Sequence, residues 1–295
     1  MAVQCPYCSQ QNPSSESRAV ITAVGSFVRR SDKAKLQRFK CKPCRKTFSQ
    51  ATFHPCYRQK KRHLNAHVFL HHVSGVSLRR MARLFRVDRK TVARKFIFMG
   101  LASVAFAEVD RKSYSPNEIE FDDLETFEHS KLKPLSVTMA VETGSRRILG
   151  YKVAQMPAKG LLVKRSLKKY GRRKDERKQK RRELFNEIAP FVAKGAIIKS
   201  DENPHYASDV REFFGCSVHK TYKGRRGCVV GQGELKAGGF DPLFSLNHSF
   251  AMFRANINRL FRRTWNTTKK KENLLLSIAM YALYHNLELI NNPST

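Results

Sequence analysis

The spacing of apolar and polar positions changes along the chain and predicts two kinds of structure. Between Ile119 and Ala154, β-branched and aromatic residues alternate with polar ones around a turn at residues 142–145. This period of two predicts antiparallel strands, with apolar segments at 135–141 and 147–154 on either side of the turn. A second short apolar run, from Gly195 to Asp201, predicts another strand.

A helical period replaces this alternation between Lys60 and Gly100. A first helix is predicted to end at residues 74–75. Ser77 then caps a helix of about two turns, and Asp88 caps a third helix that runs to roughly Met99.

The last two of these helices have the pattern of a helix-turn-helix. A tight turn at residues 86–87 separates them, and Ala82, Val87 and Val92 are predicted to face inward. The third helix would then expose its basic residues to a DNA major groove; these are Arg89, Lys90, Thr91, Arg94 and Lys95. An ordinary helical hairpin with a solvated basic face is the alternative.

Two more helices are predicted near the end of the chain, at residues 243–265 and 272–290. The basic run at 164–182 leads into an amphipathic helix, and it is either a solvated face, a phosphate-binding segment or a nuclear address. A short strand is expected at 217–222, followed by a mobile Gly-rich loop at 223–239.

The charge of the chain identifies the class of partner. Lys and Arg total 57 against 24 Asp and Glu, which gives a formal net charge of +33. A polyanion compensates such self-repulsion, so nucleic acid is the leading partner and an anionic membrane surface the competitor. We expect no secretory leader at the N-terminus and no bilayer-spanning segment, and hence a soluble, intracellular protein.

Four of the seven cysteines form two CxxC pairs, Cys5 with Cys8 and Cys41 with Cys44. Each pair can supply two thiolates, and a structural zinc ion takes four ligands in a tetrahedron. The two pairs together therefore predict a zinc ribbon. A redox-active pair is the alternative for a single CxxC.

Acidic residues end both predicted strand regions. Asp122 and Asp123 lie within the first alternating run, and Asp201 ends the later one. If the two strands lie side by side, their acids converge and can hold a metal ion. The alternative is that these acids are solvated residues at strand ends.

This order of features resembles a small bacterial insertion-sequence transposase of the DDE type, with a zinc ribbon and a helix-turn-helix before the catalytic domain. The segment Asp122-Asp123-Leu124-Glu125-Thr126-Phe127 approximates the family motif around the first acid, and Asp201 matches the second. The family's third acid lies in a helix whose pattern matches this chain at Arg254, Arg259 and Arg262. Asn247 stands at the position of that acid, a departure from the family pattern.

The resemblance implies a mixed α/β, ribonuclease H-like catalytic domain at 113–295, a zinc ribbon at 1–59 and an α-helical helix-turn-helix region at 60–112. It implies a DNA transposase that binds terminal inverted repeats and target DNA as a homo-oligomer, in the bacterial cytoplasm. Asp122, Asp201 and Asn247 would hold two magnesium or manganese ions for strand cleavage and transfer. Arg254, Arg259 and Arg262 would bind phosphates or brace the sheet.

Asn247 leaves other possibilities open. Its amide oxygen is an acceptable magnesium ligand, or Glu234 or His248 supplies the missing function. A catalytically inactive DNA-binding regulator is the alternative function, and a nuclease without joining activity is a third.

Overall fold

A computed structural model describes residues 4–8, 21–30, 32–223, 240–261 and 267–290. The chain divides into two compact units, Met1–Asn65 and Ala66–Thr295. Each unit has its own hydrophobic core. Compactness does not assign function, so the division into zinc ribbon, DNA-binding region and catalytic domain stays a prediction.

The first unit is a small antiparallel sheet. Its strands are β1 (Ile21–Val28), β2 (Lys35–Cys41) and β3 (Thr47–Ser49), paired in that order. The core is small and contains Cys5, Cys41 and Phe48.

Three helices follow along the chain: α1 (Leu64–Val73), which begins two residues before the second unit, α2 (Leu78–Leu84) and α3 (Arg89–Asp110). The Ser77 hydroxyl accepts from the Arg80 N–H at 3.3 Å, and the Asp88 carboxylate accepts from the Lys90 N–H at 2.7 Å. Both caps were predicted and are confirmed. A helix-turn-helix function of α2 and α3 stays a prediction.

A five-stranded mixed sheet forms the centre of this unit. Its strands are β4 (Glu118–Phe127), β5 (Pro134–Glu142), β6 (Ile148–Gln155), β7 (Ile197–Asp201) and β8 (Val218–Tyr222). The order across the sheet is β6-β5-β4-β7-β8, with β4 to β6 antiparallel and β7 and β8 parallel to β4. All five predicted strands are therefore confirmed.

Helices cover both faces of the sheet. After α3, the helices that share a core with the sheet are α5 (Arg177–Ile188), α6 (Tyr206–Phe214), α7 (Phe244–Asn256) and α8 (Lys271–Tyr284), the last continued by a π-helix (His285–Ile290). A further helix, α4 (Leu162–Tyr170), precedes α5 along the chain. The predicted mixed α/β class is confirmed.

Successive side chains of β4 enter different cores, as strand geometry requires. Leu124 packs in a core shared with α1 to α3, α7 and α8. Ile119 and Phe121 pack in a second core with α5 and α6. Asp122 therefore points to the α7 face of the sheet and Asp123 to the α5/α6 face.

Two helices differ in length from the prediction. The third helix continues past Met99 because Gly100 does not end it; an added Cβ there would lie 2.7 Å from the Cβ of Leu276 on α8. Gly100 thus allows α3 and α8 to pack closely. In the other direction, α7 ends at Asn256, since Ile257 is extended and the Asn258 amide donates to the Gly75 carbonyl at 3.2 Å.

No helix in the described parts of the chain is both long and apolar enough to cross a membrane.

Candidate functional sites

Four cysteines converge in the first unit. The Sγ atoms of Cys5, Cys8, Cys41 and Cys44 all lie within 4.8 Å of one another. The distance from Cys5 to Cys44 is 3.6 Å and that from Cys8 to Cys41 is 3.7 Å. Zn–S bonds of about 2.3 Å in a tetrahedron place sulfurs about 3.8 Å apart. The cluster therefore has the dimensions of a four-thiolate metal site and could bind a metal such as zinc.

The thiols differ in how readily they ionise. The backbone N–H of Lys46 lowers the pKa of Cys44 to about 7. Hydrogen bonding to Cys44, with burial, raises the pKa of Cys8 to about 12. Metal binding requires the thiols to be deprotonated, so the affinity of this cluster for a metal should rise with pH.

The two predicted acidic strands lie side by side. The parallel register pairs Ile119 with Ile198 and Glu120 with Lys199. Asp122 and Asp201 each follow two residues after that last pair, and the charge of Asp201 acts on Asp122. Ile198 packs in the α5/α6 core, which places Asp201 on the opposite face, together with Asp122. The structure therefore brings these two acids to one face of the sheet, as the strand pattern predicted.

Tyr206, at the start of α6, joins the adjacent acids of β4. Its hydroxyl lies 3.2 Å from Asp122 Oδ1 and 3.5 Å from Asp123 Oδ2. Thr138 of β5 donates a short hydrogen bond to Asp123. Tyr206 is 1% exposed and its ring packs 4.9 Å from that of Phe121. The tyrosine is consequently fixed between the core and the carboxylates.

The surroundings of Asp122 and Asp201 disfavour the charged forms of both carboxyl groups. Burial, with the charges of Asp201 and Asp123, raises the pKa of Asp122 to about 7, against hydrogen bonds from the Asp123 N–H and Tyr206. Burial also raises the pKa of Asp201, although the Asn203 N–H opposes the effect. Raised carboxyl pKa values of this kind are typical of sites that bind a ligand or catalyse a reaction.

Basic side chains pair with many acids of this chain but not with these. Salt bridges engage carboxylates on both faces of the sheet and on α5 and α6. Within the described residues, Asp122, Asp123 and Asp201 form no salt bridge. Three unpaired acids in a chain of net charge +33 leave room for an external cation.

A buried glutamate attaches α7 to this part of the sheet. The side chain of Glu120, 1% exposed, accepts a hydrogen bond from the Leu246 N–H at 2.8 Å. That N–H lies in the first turn of α7, where helix donors lack intrahelical partners. Glu120 therefore caps α7 from the strand that carries Asp122.

Asn247 follows directly in α7. Its side chain is exposed and donates to Asp241 Oδ2 at 2.9 Å. Its amide makes no hydrogen bond to Asp122 or Asp201 among the described residues. The cap of Glu120 sets the helix beside β4, while the Asn247 side chain turns to its own loop.

Of the two alternatives to Asn247, the described residues include His248 but not Glu234. His248 lies beside Arg146, with ring nitrogens 3.2 and 3.4 Å from the Arg146 guanidinium, and burial lowers its pKa. Glu234 lies outside the described residues, as does the predicted loop around it.

The predicted recognition residues lie at the start of α3. Arg89, Lys90 and Arg94 are exposed and Thr91 is half-buried. Lys95 differs from the expectation of exposure, because only 5% of it is accessible. The basic side chains of Arg89, Lys90 and Arg94, together with Thr91, are therefore available to a ligand.

The three arginines after the third-acid position are not equivalent. Arg259 packs 5.9 Å from the Phe96 ring, and burial lowers its pKa. This contact is with α3, so both predicted roles of Arg259, phosphate binding and bracing of the sheet, stay predictions. Arg254 is half-buried in α7, and Arg262 lies outside the described residues.

Sequence reasoning missed Tyr206 and Glu120. Tyr206 follows Asp201 by five residues, and only the tertiary fold shows that it reaches β4. Glu120 shares a face with Asp122 by the period of two, which was a usable signal.

A comparison of the chain with protein-family models finds no match, and a comparison with curated proteins finds no significant match.

Proposed function

We propose that the protein is a DNA transposase that binds the ends of its element and catalyses metal-dependent cleavage and strand transfer. The observation that carries this proposal is the pair Asp122 and Asp201, on neighbouring strands and unpaired with any basic side chain of the described chain. The surrounding mixed sheet and its helices support a ribonuclease H-like fold for this unit.

The donor set suits a hard divalent cation. Carboxylate oxygens of Asp122 and Asp201 are ligands that magnesium and manganese prefer. When bound, such ions would activate water or a 3′-hydroxyl and stabilise the leaving oxygen. Tyr206 would orient Asp122, and rotation of the Asn247 side chain away from Asp241 would add an amide oxygen.

The N-terminal unit would recognise DNA together with α3. Zinc is the metal proposed for the four thiolates, since their spacing matches tetrahedral sulfur ligation. Arg89 and Lys90 would contact DNA from the exposed start of α3.

Cleavage and joining are tested on a duplex that carries the DNA flanking the gene, with a pre-cut 3′ end and a plasmid target, in Mg²⁺ or Mn²⁺. We expect joined products from the wild type and none from Asp122→Asn or Asp201→Asn. Asp175→Asn, an exposed acid paired with Arg177, is the matched control and should stay active. Metal-dependent cutting without joining would identify a nuclease instead.

Binding is tested separately by titrating the same duplex at several salt concentrations. Counterion release predicts a linear fall of log K with log salt, with a slope of about −0.9 for each phosphate contacted. Affinity that does not change with salt would contradict a DNA partner.

A catalytically inactive DNA-binding regulator is the second candidate. The exposed Asn247, bonded to Asp241, favours it because a third carboxylate is replaced by a side chain engaged elsewhere. Asn247→Glu separates the two: a regulator would bind DNA without cutting it, and the glutamate would restore cutting if this position alone caused the loss. If wild-type protein cuts and Asn247→Ala does not, the asparagine is a working ligand.

A further inference from the structure

The second half of α3 has an apolar surface that the described residues of the chain leave exposed. Residues 96–107 contain no charged side chain. One side of this segment packs on α8 through Gly100. On the other side, Ile97 is 44%, Leu101 58% and Val109 65% exposed. A helix that is apolar all round is ordinarily buried all round.

Two opposite charges border this surface at equal distances. Arg94 lies seven residues before Leu101 and Glu108 seven residues after it. Seven residues make about two helical turns, so all three side chains share one face. Both charged residues are exposed, and neither forms a salt bridge within the described part of the chain.

We propose that this face of α3 binds the same face of a second copy of the chain, with the two helices antiparallel and a two-fold axis at Leu101. Residues equally far from Leu101 then meet across the axis. Arg94 meets Glu108 of the second copy, Ile97 meets Ala105, and Leu101 meets its own counterpart. A two-fold interface is self-complementary in this way.

The charges of the chain favour a second copy over other occupants. Two chains that each carry a net charge of +33 repel one another over most of their surfaces. The α3 face is free of that repulsion and offers two attractive pairs per dimer. Nucleic acid does not suit it, because the strip between Lys95 and Glu108 has no positive charge. The proposal assigns Arg94 to the second copy rather than to DNA.

The dimer has a geometric consequence that, unlike the dimer itself, rests on the proposed DNA-binding function. Arg89 lies twelve residues before Leu101, so at 1.5 Å per residue the two Arg89 positions are roughly 36 Å apart along the paired helices. Half-sites one turn of DNA apart are separated by about 34–36 Å. The two copies would therefore read adjacent turns of one duplex.

The oligomeric state of the full-length, zinc-loaded protein without DNA tests the proposal. Light scattering after size exclusion should show a mass approaching twice the 34.0 kDa of the chain as concentration rises. A single helix seam buries less than the roughly 800 Å² per partner of a standard interface, so the series should extend to about 100 µM.

Leu101→Asp places two carboxylates at the axis and should leave a monomer. Leu161→Asp is the control, because Leu161 is 97% exposed outside this face and its variant should dimerise like the wild type. Circular dichroism establishes that both variants fold.

The charge pair tests the antiparallel register. Arg94→Glu and Glu108→Arg should each weaken self-association at least about tenfold through like-charge contact, and the double variant should restore it. A monomeric wild type at every concentration would overturn the proposal, as would dimers of Leu101→Asp or a double variant no better than either single one. Because no DNA is present, failure of the transposase proposal would leave these results unchanged.

Discussion

Asp122 is held where its ionised form lowers the stability of the fold. The unfolded chain keeps an ordinary carboxyl pKa of 3.8, whereas burial raises the folded value to about 7. The folded state therefore binds this proton more tightly than the unfolded state. Stability from this group is present below pH 4 and is lost as pH rises from about 4 to above 7.

Asp122→Asn should remove that loss. Without added magnesium or manganese, we expect the variant to be more stable than the wild type above pH 7, by at most about 4 kcal/mol. The difference should vanish near pH 4. Urea unfolding at a series of pH values measures it.

Asp175→Asn is the control with the opposite sign, since Arg177 lowers the pKa of Asp175. Asp175→Asn should lower the stability of the fold only slightly, because Asp175 is solvated. If Asp122→Asn and the wild type were equally stable at every pH, the inference that ionised Asp122 lowers the stability of the fold would be wrong.

In the proposed site Tyr206 would position the acids through its hydroxyl, which lies within hydrogen-bond distance of Asp122 and Asp123. Tyr206→Phe should cost about 1–2 kcal/mol of stability and raise the Mn²⁺ concentration needed for half-maximal cleavage. Tyr281→Phe removes another buried hydroxyl, one that accepts from Asn256 at 3.1 Å. That control should lose stability without changing the metal requirement, and an equal shift in both variants would show a merely structural role.

At the scale of elements, the first turn of α7 is capped by the carboxylate of Glu120. Glu120→Ala leaves the Leu246 N–H without its acceptor in a buried setting, which should cost about 1–3 kcal/mol in denaturant unfolding. Glu120→Gln keeps an acceptor oxygen and should cost less. Equal stability of the two variants would mean that the cap contributes little to α7.

Local patterns predicted most elements of the sheet and the caps of α2 and α3. The alternation from Ile119 and the turn at Gly144 are properties of neighbouring residues, so they are legible in the sequence. They also placed Asp122 and Asp201 on strands that turned out to be neighbours.

The misjudged helix ends depend on distant residues. Gly100 is a local helix breaker, yet it serves packing against Leu276. The end of α7 involves Gly75, 183 positions from Asn258. Tyr206 likewise reaches Asp122 across 84 positions. No periodicity encodes contacts at such separations.

For the molecule as a whole, two units with separate cores predict two separate responses to metal removal. A chelator that strips zinc should unfold the unit Met1–Asn65, whose core is only a few side chains around the cysteines. The second unit has two large cores and should stay folded. The α-helices of the described chain lie almost entirely in the second unit, so the unfolding midpoint measured by far-UV circular dichroism reports mainly on that unit.

Limited proteolysis, before and after chelation, follows the first unit. Cys8→Ser should reproduce the chelated pattern, while Cys216→Ser, at an exposed cysteine, should resemble the wild type. A helical unfolding midpoint that falls with chelation would show that the two units unfold together.

The parallel pairing of β4 with β7 also has a consequence during synthesis. Asp122 leaves the ribosome 79 residues before Asp201, and the strand that carries the second acid can pair only after the intervening hairpin and helices have emerged. A nascent or truncated chain thus holds only one of the two acids. If the protein cuts DNA as proposed, the ability to cut would arise only after at least 201 of the 295 residues have been made.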